Sequence, residues 1–334
     1  MQEYWKTKLS FKQSIFYQNM LSSFSINQKR VPCNGLDEKE IVEAYLAISC
    51  DHPELYQLPT DPKITQSVGL MGRNMELVIQ NLYDKPQRRK IDAQIKQVKT
   101  QLLSSVSPYA SAYEKEKIVC DYILEHTTYE VNNRSNQNVA SVIVNHKAQC
   151  SGIARAVKLM LGWFGIDSIV VHGEATSNSG QRGPHDWNVV WIDSKCYHLD
   201  VTFMLGSNVN NRKPFRYLYL NYTDDEISSG RYWDKDKIPR CNSVWEQDRQ
   251  TSSNGVVEGG APTLTISSLY EFKQQLKAAI LSNERSFSFI SQIAVNEGEL
   301  MKYISNACKM VTDALAKHVT ITISIVGNQV GISW

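Results

Sequence analysis

Three residues in this chain have the types and order needed to break an acyl bond: Cys150, His185 and Asp200. Cys150 lies in "NHKAQCSGIARAVKLML" (145–161), at the start of an amphipathic helix. Ile153, Val157, Met160, Leu161 and Phe164 recur at helical spacing, with Arg155 and Lys158 between them. A helix N-terminus carries partial positive charge and unpaired N–H groups, so it stabilises a thiolate. A free cysteine is equally at home as inert buried filler, so the position alone does not decide. His185 opens the strand-like run "HDWNVVWID" (185–193), and Asp200 lies on "KCYHLDVTF" (195–203). "IDSK" (192–195) reads as the hairpin turn between them. A turn centred on Asp193–Ser194 pairs Asp186 with about Val201 and sets His185 and Asp200 roughly side by side. Cross-strand Cβ atoms are about 4.5–5.5 Å apart, within reach of an imidazole–carboxylate hydrogen bond. A carboxylate that holds one ring nitrogen leaves the other facing a nucleophile.

These residues need a helix packed on an antiparallel sheet, an α+β layout, and the surrounding pattern supplies one. "DEKEIVEAYLAISCDHPELY" (37–56) reads as a helix with Asp37 as N-cap and Glu40 at the capping-box position. "SVGLMGRNMELVIQNLY" (67–83) reads as two short strands around a turn near Gly72–Asn74. Helices are expected at 89–105 and 111–129, with "QRRK" (87–90) as a solvated loop or helix start, then a polar loop at 130–141. "DSIVVHGEA" (167–175) is a further strand. Residues 204–249 are irregular, with a short helix after "YTDDEISS". The C-terminal stretch alternates: strand 263–267, helix 268–282, strand 286–293, helix 297–317, then strands 319–326 and 329–334 around Gly327–Asn328. The chain thus divides into an accessory helix/hairpin region (1–95), a catalytic core (96–249), a linker (250–262) and a small α+β module (263–334).

Composition narrows the function class. The 334 residues include 42% hydrophobic and 21% charged residues, with a net charge of +2. That balance gives no electrostatic case for nucleic acid or an anionic membrane. No stretch approaches the roughly 18 apolar residues needed to span a bilayer. The N-terminal "MQEYWKTKLSFKQSIFYQNMLSSFS" lacks the apolar core and cleavage site of a signal peptide. The chain is therefore expected to be cytoplasmic, with secretion of an already trimmed chain left open. Seven scattered cysteines, none in CxxC spacing, predict neither a disulfide framework nor a zinc ribbon. No His/carboxylate cluster shows ligand spacing, so neither metal nor cofactor is expected.

Residues from about 110 to 205 resemble the transglutaminase-like superfamily of papain-fold cysteine enzymes, in particular its bacterial members. The resemblance rests on a helix ending near Tyr129, "KAQCSGIARAVKLMLGWFGI" (147–166), "HDWNVV" (185–190) and "YHLDVTF" (197–203). It implies a papain-like core with Cys150 as nucleophile, His185 as general base and acid, and Asp200 as orienting acid. It also matches Tyr129 to the family's tyrosine, a candidate second oxyanion donor beside the Cys150 backbone N–H. Two departures stand out. Asp186 follows the histidine where a small residue is common, and either raises the His185 pKa or points to solvent. Gln149 precedes the cysteine and reads as incidental to oxyanion binding.

Other residues carry plainer readings. His172 and His198 sit on strands as core or surface residues, with His198 a weak alternative because it shares a face with Asp200. His146 reads as loop. Trp187 and Trp191 read as packing anchors, with Trp187 also placed to line a substrate groove. Asn188 is expected to hydrogen-bond a loop, and Asp193 to sit in the turn. The expected activity is cysteine-dependent acyl transfer on amide bonds of proteins or peptides, resolved by water or an amine. The alternative is a catalytically idle scaffold of the same fold. Oligomeric state is not readable.

Overall fold

The computed structural model describes residues 2–25, 28–69, 72–130, 137–176, 181–207, 217, 219–228, 230–243 and 245. Towards the C-terminus it describes 265–266, 272–273, 275–276, 280, 286–291, 297–314, 321–326 and 329–333. The N-terminal region begins with a 3₁₀ turn (Trp5–Lys8), followed by α1 (Phe11–Ser25), β1 (Arg30–Pro32), α2 (Glu38–Asp51), β2 (Lys63–Gly69) and β3 (Gly72–Val78). Asp37 caps α2 as the sequence predicts: its side chain accepts from Glu40 N, and the Glu40 side chain accepts from Asp37 N. The β2–β3 ladder runs to Gly69↔Gly72. The connection therefore falls at 70–71, outside the described residues, and Gly72–Asn74 lie inside β3 instead of forming the expected turn. Phe16, Tyr17, Met20, Ile41, Ile48 and Leu77 close this region around its own core.

The central region starts with α3 (Lys85–Ser104), capped by Asp84, so "QRRK" lies in its first turns and residues 95/96 fall inside it. α4 (Ala112–His126) has a Ser111–Glu114 capping box. It ends three residues before the expected limit because Thr128–Tyr129 form β4, which pairs in parallel with β5 (Lys147–Ala148). α5 (Val139–Ile143) leads to β5 and then directly to α6 (Cys150–Trp163). A four-stranded antiparallel sheet follows, in order β8-β7-β6-β9, from β6 (Ser168–Thr176), β7 (Arg182–Ile192), β8 (Lys195–Leu199) and β9 (Arg231–Trp233). The β7–β8 turn places Asp193 and Ser194 at φ 49° and 65°, the twist-matched geometry of a two-residue hairpin. The expected strand through 203 stops at Leu199. There Asp200 starts α7 (Val201–Ser207), its Oδ1 accepting from Phe203 N at 3.1 Å. α8 (Asp224–Ile227) lies within "YTDDEISS", capped by Thr223, rather than after it.

α6 is buried on all sides from Gly152 to Leu161. Its apolar residues join Val119, Ile123, Val142 and Val190 in the main core. The two charged residues that the sequence sets among its apolar positions are covered too. Arg155 donates to Ser49 O, Ser49 Oγ and Gln137 O, and Lys158 donates to Gln2 O and Ser168 O. Burying a charge is costly unless hydrogen bonds compensate it, and the N-terminal region supplies several of them. That region is therefore an integral wall of the central helix.

The C-terminal part has a second four-stranded sheet, β10-β11-β13-β12, from β10 (Thr265–Ile266), β11 (Ser286–Ser291), β12 (Thr322–Val326) and β13 (Gln329–Ser333). With α9 (Glu297–Ala314) it encloses Phe272, Leu276, Leu300, Ile304, Val330 and Ile332. The expected linker 250–262, the Gly327–Asn328 turn and most of the helix expected at 268–282 lie outside the described residues. No helix among the described residues is long and apolar enough to cross a membrane. No disulfide joins any of the seven cysteines.

Candidate active site

Strand register brings two of the expected residues together. The β7–β8 ladder runs from Ile192↔Lys195 to Asn188↔Leu199. Continued by one step it sets Asp200 opposite Trp187, so His185 is its diagonal neighbour on the same face. His185 Nε2 donates to Asp200 Oδ2 at 2.9 Å. The sequence expectation of Asp186 opposite Val201 has the same register. His185 is 5% exposed and Asp200 fully buried. Arg231 of β9 also donates Nε to Asp200 Oδ2, at 2.8 Å, with its guanidinium 3.5 Å over the Phe203 ring. Sequence reading passed over Arg231 because it is 31 residues away and carries no local motif.

Cys150 is half-buried at the first position of α6, with Gln149 as N-cap residue. Its sulfur is an electrostatic neighbour of His185 and of the Tyr129 hydroxyl. The short β4–β5 ladder sets Tyr129 opposite Ala148, two residues before Cys150. Burial, then the Cys150 charge and hydrogen bond, push the Tyr129 hydroxyl up to about 12, so it stays a protonated donor at neutral pH. Gln149 does not cap its helix, and its Oε1 accepts from Gln137 Nε2 at 2.8 Å. Burial disfavours the His185 cation. The charge and hydrogen bond of Asp200, with those of Cys150, outweigh this and lift His185 to about 9. Burial likewise opposes the Asp200 carboxylate, but His185 and then Arg231 hold it well below the usual carboxylate range.

The Trp187 ring stacks on His185, with centroids 5.9 Å apart and planes 14° from parallel. It is a fully buried anchor, which leaves it no part in lining an open groove. Its indole N–H donates to His198 Nδ1 at 3.0 Å, and His198 Nε2 donates to Asp224 Oδ1 at 2.9 Å. Gly173, opposite His185 on β6, leaves room for this indole: a Cβ there would collide with Tyr232 O and come within 2.7 Å of Trp187 Cη2. Asn188 bonds Ala154 O and Ile169 O, tying α6 to β6 instead of holding a loop.

Asp186 neither faces solvent nor pairs with His185. It is buried, and alternation along β7 turns it to the opposite face, where it binds His172.

His198, Asp224 and Cys241 also gather ligand atoms within 4.8 Å of one another, a cluster that linear spacing does not reveal. Its chemistry fits a metal poorly. A metal-binding imidazole donates its second N–H to an acceptor, whereas His198 Nδ1 accepts from an indole, which can only donate. Its hydrogen bond with Cys196 and then burial keep the Cys241 thiol protonated. The cluster is better described as a hydrogen-bonded support for Trp187.

Residues 99–201 match the family model of the transglutaminase-like superfamily. Among solved structures, a TGase is 17% identical over 50% of this chain and 48% of its own, with a TM-score of 0.30. A proposed cysteine protease from Cytophaga hutchinsonii is 13% identical over 42% and 62%, with a TM-score of 0.28. A proposed protease from Parabacteroides distasonis is 14% identical over 42% and 36%, with a TM-score of 0.26. The matched part is less than two thirds of each of these proteins. No curated protein matches the chain at a significant level.

Proposed function

We propose that the protein is a cysteine-dependent acyl-transfer enzyme acting on amide bonds of proteins or peptides. The observation that supports this reading is the buried His185–Asp200 hydrogen bond at 2.9 Å, with Cys150 at the first position of α6. In this reading the Cys150 thiolate attacks the amide carbonyl and forms the C–S bond. The oxyanion is met by the Cys150 backbone N–H and the Tyr129 hydroxyl. His185 gives its proton to the leaving nitrogen as the C–N bond breaks, leaving a thioester. Water or a primary amine then attacks, His185 takes its proton, and the thiolate leaves. Asp200 holds Nε2–H, so that Nδ1 faces the sulfur and the imidazolium is stabilised.

The test is incubation with an unfolded protein substrate and a fluorescent primary amine, followed by mass spectrometry of enzyme and products. The expected result is a Cys150 thioester, with amine incorporation or a new carboxylate in the product, both lost in Cys150→Ala. Turnover that survives Cys150→Ala, or no acyl-enzyme under any condition, overturns the reading.

A further inference from the structure

Glu116 of α4 and Asn221 are both buried, and Asn221 Nδ2 donates to Glu116 Oε2 at 2.8 Å. Their other oxygens, Glu116 Oε1 and Asn221 Oδ1, are buried as well and have no hydrogen-bond partner among the described residues. Two acceptors cannot satisfy each other, and a buried carboxylate needs a cation or several donors. Glu116 has one neutral donor and no ion pair among the described residues. A single proton removes the difficulty. Placed on Oε1 it makes the carboxyl a donor, and Asn221 Oδ1 is the acceptor that lacks one.

The charged groups around the pair are engaged elsewhere. On α4, Asp121 accepts from the Tyr217 hydroxyl, and Lys117 lies over the Tyr113 and Tyr217 rings. On α6, Arg155 and Lys158 donate to carbonyls of other segments. Asp200 serves His185 and Arg231, and Lys273 serves the Tyr222 hydroxyl. α5 and α7 carry no titratable side chain. No charge therefore acts on Glu116: burial pushes its carboxyl up to about 8, opposed only by the Asn221 hydrogen bond.

Asn221 belongs to a bent strap, residues 219–222, that grips the end of β8. Tyr219 O accepts from Asp200 N at 3.1 Å, and His198 and Tyr222 exchange backbone hydrogen bonds of 2.8 and 2.9 Å. The strap bends through left-handed backbone at Tyr219 and Asn221, φ 72° and 54°, a region that asparagine tolerates better than most residues. The Tyr219 ring packs on Phe203, and the Arg231 guanidinium lies 5.0 Å from its centroid. The hold of α4 on Asn221 thus reaches the backbone of Asp200 in two steps.

We propose that Glu116 is a carboxylic acid closed on the Asn221 amide by two hydrogen bonds, Nδ2–H to Oε2 and Oε1–H to Oδ1, and that the two are positioning residues for Asp200. Their part in acyl transfer rests on the reading above; the pair and its hold on Asp200 are measurable without Cys150.

The first measurement is the infrared difference between wild type and Glu116→Gln. The carbonyl stretch of a protonated carboxyl is expected in wild type at pH 7, and it fades as pH rises through about 8. Its absence at pH 7, with Glu116 ionised alone or around a metal ion, overturns the acid–amide pair. The second is the His185 titration, followed by imidazole proton NMR. Gln keeps both hydrogen bonds, so Glu116→Gln is expected to titrate at or above the wild-type value of about 9. Glu116→Leu strands the Asn221 amide and is expected to titrate about one unit lower, a tenfold loss in proton affinity. Equal titration in the two variants, whether both unchanged or both lowered, overturns the positioning role. If Glu116→Leu does not fold by circular dichroism, Asn221→Gly serves instead: it keeps the left-handed backbone and removes the amide. The same drop is expected, and an unchanged titration overturns the role. Failure of the acyl-transfer reading shows as turnover that survives Cys150→Ala, a result that neither measurement here shares.

Discussion

The Asp200 carboxylate serves three donors at once: the His185 ring, the Arg231 guanidinium and the Phe203 backbone N–H. Replacing it by Asn keeps the shape and removes the charge that lifts His185. In Asp200→Asn the His185 titration, followed by imidazole proton NMR, is expected to fall from about 9 to below 6.5, the ordinary value. Turnover is expected to drop by a factor on the order of 10³–10⁴, since the proton then sits on the wrong ring nitrogen. The same pair sets a pH window for stability. The folded His185 pKa lies above its unfolded value, so its contribution is fully present below about 6.5 and is lost as pH rises through about 9. The stability gap between wild type and His185→Gln, read from thermal melts, is expected to shrink by up to about 3 kcal/mol over that range. The Cys–His–Asp order, the hairpin turn and the register were legible because each is written within about 50 residues. Glu116 and Asn221 were not, because 105 residues separate them and nothing local to either names the other.

At the scale of elements, helix starts announce themselves. The Asp37–Glu40 box was readable by type and spacing, and the Ser111–Glu114 box marks the start of the helix expected at 111. The end of β8 was misread because "LDVTF" has strand-forming residues, while the Asp200 carboxylate offers a cap to Phe203 N and wins a helix turn. The all-round burial of α6 was hidden for another reason: the elements covering Arg155 and Lys158 belong to a distant segment. Between β6 and its neighbours, Gly173 is the tightest place. Gly173→Ala forces a clash with backbone at Tyr232 and with the Trp187 ring, and the backbone atom cannot rotate away. It is expected to cost about 2–3 kcal/mol by denaturant melts and to reduce His185-dependent alkylation of Cys150.

Across the whole molecule, the N-terminal region is fastened to the core at Asp51. Its carboxylate accepts from Trp5 N, Lys6 N and the Tyr17 hydroxyl, and so joins the 3₁₀ turn, α1 and α2 at one point. From there Trp5 reaches Val170, and Lys158 reaches back to Gln2. Asp51→Asn exchanges one acceptor oxygen for a donor facing N–H groups. The expected result is a loss of about 2–4 kcal/mol and faster limited proteolysis within residues 1–10. If the N-terminal region were a loosely appended module, both measurements would stay at wild-type values.

The indole stacked on His185 has a consequence for light. An imidazolium accepts charge from an excited indole and darkens it, whereas a neutral imidazole does so far less. Trp187 is fully buried, and its N–H is held by a second histidine that burial keeps neutral. The difference in fluorescence between wild type and Trp187→Phe should therefore brighten as pH passes through about 9, in step with His185. The chain carries its own optical gauge of one proton.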